Sequence, residues 1–386
     1  MTQIPQVFLL PVALMFFCTS CLKAEIVKIL IQGDTQKIMD LKNGEQDNFV
    51  PLMAKVLTDP VTRDADFIFQ MGDIVESDTD NSDRPQQYEI AREGWRQIDG
   101  KIPYILNLGS EAQKEKYLPG MVSGEIVGAI GMTEPSAGSD LQRIKTHAAR
   151  DGDQFKINGQ KTFITNGQHC DLIVLATKTD PNQGAKGMTL FTVDCASTGF
   201  NRGRNLDKMG LHSGDTSELF FDDLIVTTAD ILGGEGQGFV NMMKELPRER
   251  LILGVGCVGA AQGAFDLTVA YITERQAFGQ AVSGFQNSRY KLAEMKTDIE
   301  LCRAMAEKYT AQFIAGELTS AEASMLKLAA SEMQGRVADQ CVQLFGGYGY
   351  MTEYPISRAY LDARIQRIYG GTSEIMKELI SRSIVS

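Results

Sequence analysis

The hydrophobic pattern of the chain switches from strand-like to helical at Gly238. Between residues 126 and 225, short apolar runs alternate with tight-turn dipeptides, namely Asp151-Gly152, Asn158-Gly159 and Asn166-Gly167. Runs bounded by such turns are typical of antiparallel strands. After Gly238, apolar residues recur with helical spacing to the end of the chain. The sequence therefore predicts an α+β multidomain fold, in which a central antiparallel β-barrel or sandwich precedes a C-terminal helical bundle.

Composition and charge exclude several classes of protein. The chain has 386 residues, of which 43% are hydrophobic and 23% charged, a mixture typical of soluble globular proteins. Its formal net charge of −11 argues against an obligate nucleic-acid-binding protein, which normally carries a basic surface. Seven cysteines are too few for a disulfide scaffold, and the three histidines lack the spacing of a metal site. We therefore expect neither a nucleic-acid partner nor a bound metal.

Residues 1–22 contain an apolar segment at residues 7–18. It is shorter than the ~20 residues that a membrane-spanning helix needs. Its length fits the hydrophobic region of a secretory signal peptide, but the residues before it carry no Lys or Arg. A buried strand or helix is an equally good interpretation. We predict a cytoplasmic protein, with the cell envelope as the alternative if residues 1–21 act as a signal peptide.

Residues 23–109 show the alternating strands and helices of an α/β fragment. Two predicted strands run into Asp34 and Asp73, and residues 103–108 are predicted as a third strand. This segment resembles the N-terminal fragment of a calcineurin-like metallophosphoesterase. It lacks the Gly-Asn-His-Asp motif that follows the third strand in that family, and the later histidine ligands are missing too. Two carboxylates alone cannot hold a two-metal centre, so we expect no phosphatase activity.

Five ordered motifs between residues 132 and 375 resemble those of the acyl-CoA dehydrogenases. They are MTEPSAGSDL (132–141), KTFITNG (161–167), ERQAFGQ (274–280), QLFGGYGYMTEYP (343–355) and IYGGTSEI (368–375). The resemblance covers residues 107–386 and looks closest to the long-chain and isovaleryl-CoA branch. It implies an FAD-dependent oxidoreductase that introduces a Cα–Cβ double bond into an acyl-CoA, in fatty-acid or branched-chain oxidation. Residues 110–228 would then form the flavin-binding domain, and residues 229–386 the helical-bundle dehydrogenase domain.

The resemblance also implies which residues contact the cofactor and the substrate. In the strand-rich region, the implied flavin contacts are Ile130, Met132, Thr133, Ser139, Phe163 and Thr165. In the helical region they are Thr372 and Glu374, and also Arg275, Gln286, Gln343 and Gly347, which would reach the FAD of a neighbouring subunit. The implied acyl-CoA contacts are Ser139, Lys186, Gly187, Arg250, Gly370 and Gly371. A cofactor site shared between subunits implies a homo-oligomer, a homotetramer in this family, and the implied electron acceptor is an electron-transfer flavoprotein.

The catalytic base is assigned by a departure from the commonest family pattern. Many members carry a glutamate directly before the Gly-Thr-Ser of the last motif, where this chain has Gly370. The long-chain and isovaleryl branch places the base on an earlier helix, and the matching residue here is Glu249. Independently of the resemblance, Glu249 shares a helical face with Met242, Leu246, Leu253 and Gly256. A carboxylate desolvated on an apolar face is a stronger base than an exposed one, so we predict Glu249 as the catalytic residue. Gly370 would leave room for that carboxylate.

Three other interpretations stay open. Glu249 could form an ordinary surface ion pair with Arg248 or Arg250, its neighbours in the sequence. Residues 1–106 do not resemble the helices that precede this region in family members, so the chain could be a fusion with an incomplete and inactive flavin pocket. An envelope metallophosphoesterase-like protein, based on Asp34 and Asp73, is the third interpretation.

Overall fold

The computed structural model describes residues 102–385, which divide into two compact units. The described part of the first unit comprises residues 102–246, and the second unit comprises residues 247–385. The predicted segment 1–22 and most of the predicted α/β fragment 23–109 lie outside the described residues.

The first unit begins with two helices, α1 (Ile102–Leu108) and α2 (Glu111–Ser123). The predicted strand at residues 103–108 is therefore wrong. A short apolar run can belong to a buried strand or to a buried helix, and periodicity alone does not separate them. In α1 the spacing of Tyr104, Ile105 and Leu108 places all three against one apolar cluster of the unit. The Ser110 hydroxyl then caps α2 by accepting the Gln113 backbone N–H.

Between residues 102 and 246, all strands belong to one sheet. They are β1 (Gly128–Gly131), β2 (His147–Asp151), β3 (Gln154–Thr165), β4 (Leu172–Lys178), β5 (Met188–Asp194), β6 (Phe200–Asn205), β7 (Thr216–Thr227) and β8 (Ile231–Leu232). The strand order is β6-β7-β3-β2-β4-β5-β8, and β1 pairs with β4. β1 and β2 both run parallel to β4, whereas the other pairs are antiparallel.

The predicted barrel is therefore corrected to an open, mixed sheet. The path ends at β6 and β8, and these two strands do not pair with each other. Turn dipeptides identify hairpins, but they do not determine which distant strands become neighbours, and the sequence did not indicate the parallel β1–β4 pair. Buried side chains such as Phe155, Ile157 and Phe191 form the hydrophobic core of the sheet. Phe155 and Ile157 are two residues apart on one strand, so their side chains point to the same face.

The helix α3 (Gly238–Glu274) begins in the first unit and continues into the second. The second unit further contains α4 (Gln286–Ile314), α5 (Ser320–Phe345), α6 (Pro355–Ala363), α7 (Ser373–Val385) and a short hairpin of β9 (Gln276–Ala277) and β10 (Gln280–Ala281). Its core is built from α3, α4 and α5, with Val258, Ile299 and Met333 at its centre. The prediction of a mixed α+β chain with a helical C-terminal domain is confirmed.

The length and composition of α3 would allow it to cross a membrane. Half of its apolar window is buried within the protein, however, which is also found in the core helices of soluble proteins. We therefore interpret α3 as a core helix.

Candidate active site

A buried ion pair joins the first two motifs in the sheet unit. The ammonium of Lys161, on β3, donates to Glu134 Oε1 at 2.9 Å and to the Met132 carbonyl at 3.0 Å. Both charged side chains are almost completely buried. Burial lowers the pKa of Lys161 to about 8, although the Glu134 carboxylate opposes the shift. For Glu134, burial alone would raise the pKa, but Lys161 and two backbone N–H donors outweigh it and leave the pKa lowered.

This ion pair holds the loop after β1 against β3. The Thr162 backbone N–H also donates to the Thr133 carbonyl at 3.0 Å. Residues 132–134 are thereby fixed beside the strand that carries Phe163 and Thr165. The resemblance did not imply Lys161 or Glu134, although both lie inside the motifs that carry it. The sequence signal that could have indicated this ion pair was a lysine within a predicted apolar strand.

Phe163 is an exposed aromatic side chain in an unusual backbone conformation. Its φ is +60°, its side chain is 67% exposed, and it lies at a register shift between β3 and β7. Positive φ is rare for a bulky residue, and bulges often redirect a side chain at a functional site. Thr165, two residues later, presents its side chain to solvent as well. An exposed ring beside an exposed hydroxyl fits a planar heterocycle such as a flavin.

The remaining predicted contacts of the sheet unit differ in burial. Ile130, Met132 and Thr133 are half-buried, whereas Ser139 and Lys186 are exposed. Gly187 is buried, and a Cβ there would lie 1.8 Å from the Asp180 carbonyl oxygen. Gly187 is thus required by the local backbone, whatever ligand binds nearby.

In the helical unit, Glu249 has the environment expected of a base. It is half-buried on α3, and its Oε1 atom is buried without a hydrogen-bond partner. Within residues 102–385, Glu249 makes no direct ion pair with a neighbouring arginine, although its charge acts at longer range to oppose the lowering of the Arg250 pKa by burial. Of the residues on its predicted helical face, Met242, Leu246 and Leu253 are buried, while Gly256 is exposed. A buried carboxylate oxygen without a donor is costly, which favours a role in binding or catalysis over a purely structural one.

The turn of α3 that carries Glu249 packs against the loop that contains Gly370. Arg250 Nε donates to the Gly370 carbonyl at 3.2 Å. A Cβ on Gly370, whose φ is +64°, would lie 2.4 Å from Leu253 Cδ1. The room that the sequence predicted beside Gly370 is therefore taken by Leu253, one helical turn after Glu249. Because these two residues share a face of α3, this contact also directs the Glu249 face toward the loop.

The same loop offers free hydrogen-bond donors. In the described chain, the backbone N–H groups of Gly370, Gly371 and Thr372 have no acceptor. They directly precede α7, and the Thr372 hydroxyl accepts the Ile375 N–H at 3.3 Å as a helix cap. Consecutive free N–H groups at a helix start bind anionic or carbonyl oxygens. Glu374, in the first turn, is exposed, and backbone hydrogen bonding there lowers its pKa.

A cavity of about 440 Å³ lies elsewhere in the helical unit. Arg275 and Gly347 both line it, together with aromatic residues that include Tyr271, Phe345 and Tyr348. The Arg275 guanidinium lies 5.5 Å from the centre of the Tyr348 ring. The structure thus brings two predicted cofactor residues together, whereas Gln286 and Gln343 are exposed outside the cavity lining.

Within the helical unit, free amides near a carboxylate oxygen without a hydrogen-bond partner fit a site that deprotonates a carbonyl compound. Comparison with known families specifies the class. The family model of the acyl-CoA dehydrogenase middle domain matches residues 129–224, and that of the C-terminal domain matches residues 236–385. The chain belongs to the acyl-CoA dehydrogenase family, whose members are FAD-dependent oxidoreductases that act on a CH–CH bond.

Individual relatives support the same assignment. The mitochondrial long-chain specific acyl-CoA dehydrogenase of Rattus norvegicus is 48% identical over 287 residues, which cover 74% of this chain and 67% of the relative. The mitochondrial isovaleryl-CoA dehydrogenase of Pongo abelii is 38% identical and covers 73% of this chain and 67% of the relative. The solved acyl-CoA dehydrogenase of Geobacillus kaustophilus has a TM-score of 0.74 and 39% identity, covering 95% of this chain and 97% of that chain. The resemblance to the long-chain and isovaleryl branch is confirmed, and the matches span about two thirds of those two relatives.

Proposed function

We propose that the chain catalyses the FAD-dependent α,β-dehydrogenation of an acyl-CoA thioester, with Glu249 as the base. The observation that carries this proposal is the Glu249 carboxylate, whose Oε1 atom is buried without a donor on the face of α3 that packs on Gly370. An oxygen left unpaired in the resting protein is available to accept a proton from a ligand.

Glu249 and Gly370 would have different roles in the reaction. Glu249 accepts the α-proton, and the free N–H of Gly370 polarises the thioester carbonyl as negative charge develops on its oxygen. FAD, when bound, supplies the N5 atom that accepts the β-hydride. The Oε1 atom of Glu249 is buried, and an environment of low dielectric constant strengthens its interaction with a proton donor.

Taken separately, each unit contains residues whose chemistry fits part of an FAD molecule. Phe163 would stack beside the ring, and the Thr165 hydroxyl would hydrogen-bond to it. Arg275 lines a cavity with no nearby carboxylate among its lining residues, as a pyrophosphate-binding guanidinium requires. All of the implied FAD and acyl-CoA contacts stay predictions, including those at Ser139, Lys186, Gln286 and Gln343.

The absorbance spectrum of the purified full chain, reconstituted with FAD, tests the proposal. We expect a flavin absorbance band that bleaches under anaerobic conditions when a long-chain or branched acyl-CoA is added. The identity to long-chain enzymes supports the long-chain class. A protein that binds no FAD, or a flavin band that no acyl-CoA bleaches, would contradict the proposed function and favour the incomplete-pocket interpretation.

Homotetramer assembly and an electron-transfer flavoprotein acceptor are part of the proposal and rest on family membership. Replacing Arg275 with alanine should lower the amount of retained FAD and the oligomer fraction together, because one guanidinium would bind a pyrophosphate that the neighbouring subunit holds. Gel filtration and flavin content measure the two quantities. Arg382→Ala, an exposed arginine on α7, is the matched control. If both quantities were unchanged in Arg275→Ala, the intersubunit role would be wrong.

The compartment stays a prediction, as do the domain bounds 110–228 and 229–386. The metallophosphoesterase alternative depends on Asp34 and Asp73, which lie outside the described residues.

A further inference from the structure

A completely buried lysine lies in the helical unit without a carboxylate partner. Lys327 is on the buried face of α5, between Ala323 and Ala330. Its ammonium donates to the Gly371 carbonyl at 2.7 Å, and no carboxylate within residues 102–385 forms an ion pair with it. Burial lowers its pKa to about 8. Lysine is almost never fully buried unless it is paired, so this position needs a reason beyond packing.

Arg250 binds the carbonyl of Gly370, the residue before Gly371, in the same way. Its buried guanidinium donates from Nε to the Gly370 carbonyl at 3.2 Å. Two buried cations from two different helices thus hold two consecutive carbonyl groups. In a trans peptide the carbonyl and the following N–H point in opposite directions. Holding the carbonyls of Gly370 and Gly371 therefore turns the N–H groups of Gly371 and Thr372 away from the cations, and it fixes the two peptide planes that directly follow the Gly370 N–H.

The orientation matters because the two glycines at the centre of the loop have no side chains that could fix it. Gly370 and Gly371 have φ values of +64° and +102° and no side chains. Glycine is the most flexible residue, so free donors on a diglycine would lose their alignment unless the carbonyls were anchored. Preorganised donors stabilise a developing oxyanion because no reorganisation is needed during the reaction.

We propose that Lys327 is a positioning residue for the dehydrogenation proposed above, which anchors Gly371 while Arg250 anchors Gly370, so that the free N–H groups of this loop are aligned for the thioester oxygen. The inference rests on the proposed function. Lys327 itself does not contact the substrate, and it acts through the loop. Its buried charge also strengthens the donors, since the protein interior screens charge weakly.

The test compares Lys327→Met with Lys308→Met in the FAD-loaded full chain. Methionine removes the ammonium and approximately preserves its volume, while Lys308 is an exposed lysine on α4 that controls for the change of net charge. The first readout is binding of acetoacetyl-CoA, a 3-oxoacyl-CoA that can enolise but has no β-hydride to transfer. The bound enolate should give a long-wavelength charge-transfer band with the oxidised flavin. The second readout is the rate of anaerobic bleaching per bound flavin.

For Lys327→Met we expect the enolate band at fixed pH and the bleaching rate both to fall about tenfold or more, because a misaligned donor loses part of the ~10²–10³-fold that one oxyanion donor supplies. The dissociation constant for acyl-CoA should change far less, and Lys308→Met should behave as the wild type. A structural role alone would lower flavin content and thermal stability but leave the rate per bound flavin unchanged, which would overturn the proposal.

A second variant covers the case in which Lys327→Met does not fold. Lys327→Gln keeps a neutral donor, and an intermediate rate per flavin supports the positioning role. A wild-type rate in Lys327→Gln, or failure of both variants to fold, would overturn it. If the wild type itself does not bleach with any acyl-CoA, the proposed function fails, whereas a bleaching wild type with an equally fast Lys327→Met contradicts this inference alone.

Discussion

Replacing Glu249 with glutamine is expected to leave FAD bound and to slow flavin reduction by acyl-CoA ~10²–10⁴-fold, the usual contribution of a general base. Glutamine preserves the shape of the side chain and removes its ability to accept the α-proton. The effect should be specific because the Oε1 atom of Glu249 has no hydrogen-bond partner to lose. Anaerobic stopped-flow absorbance at the flavin band measures the rate.

A control must separate the loss of a base from the loss of a negative charge. Glu294→Gln, at an exposed position of α4, changes the net charge equally and should reduce its flavin at the wild-type rate. Flavin content and melting temperature of Glu249→Gln should match those of the wild type, since no ion pair is broken. Full bleaching by Glu249→Gln would show that another group removes the proton, and the proposed mechanism would fall.

The sequence predicted the helical half of the chain closely. Helical periodicity after Gly238 predicted a helical bundle, and the structure shows α5 beginning at Ser320, where the Thr319 side chain caps it. The same periodicity placed Glu249 on the apolar face that packs on the Gly370 loop. These features are local in sequence, so a single sequence carries enough information to place them.

Nonlocal features were not predictable in the same way. The parallel β1–β4 pair connects segments separated by about forty residues, and turn dipeptides carry no signal for it. Residues 103–108 form a helix instead of the predicted strand, and the apolar cluster that buries Tyr104 and Ile105 includes residues far away in the sequence, such as Met188 and Leu232. Leu253 filled the space beside Gly370, although neither residue type indicates that contact.

The buried cations were missed for a related reason. Lys161 and Lys327 look like ordinary lysines in a sequence, because most lysines are exposed. Only the fold shows that each is completely buried and donates to a backbone carbonyl in a family motif. Both therefore lead to experiments that the sequence alone did not suggest.

Replacing Lys161 with methionine should strongly destabilise the sheet unit. The change leaves the Glu134 carboxylate buried with two backbone N–H donors and no cation. Removing one partner of a buried ion pair typically costs about 3–5 kcal/mol of the free energy of unfolding. The Met132 carbonyl loses its donor as well, so flavin retention should fall together with stability. Urea denaturation of the full chain and the flavin content measure the two effects.

The double variant Lys161→Met/Glu134→Gln separates a buried charge from a packing defect. It removes both charges, so it should recover much of the stability lost in Lys161→Met, because the uncompensated carboxylate is then absent. The same strand offers a matched control, since Lys156 on β3 pairs with Asp223 at 3.3 Å and both side chains are exposed. Lys156→Met should change the urea midpoint little, because solvent screens that pair. If Lys161→Met were no more harmful than Lys156→Met, the ion pair would not hold residues 132–134 against β3, and the fixed positions of Met132 and Thr133 beside that strand would need another cause.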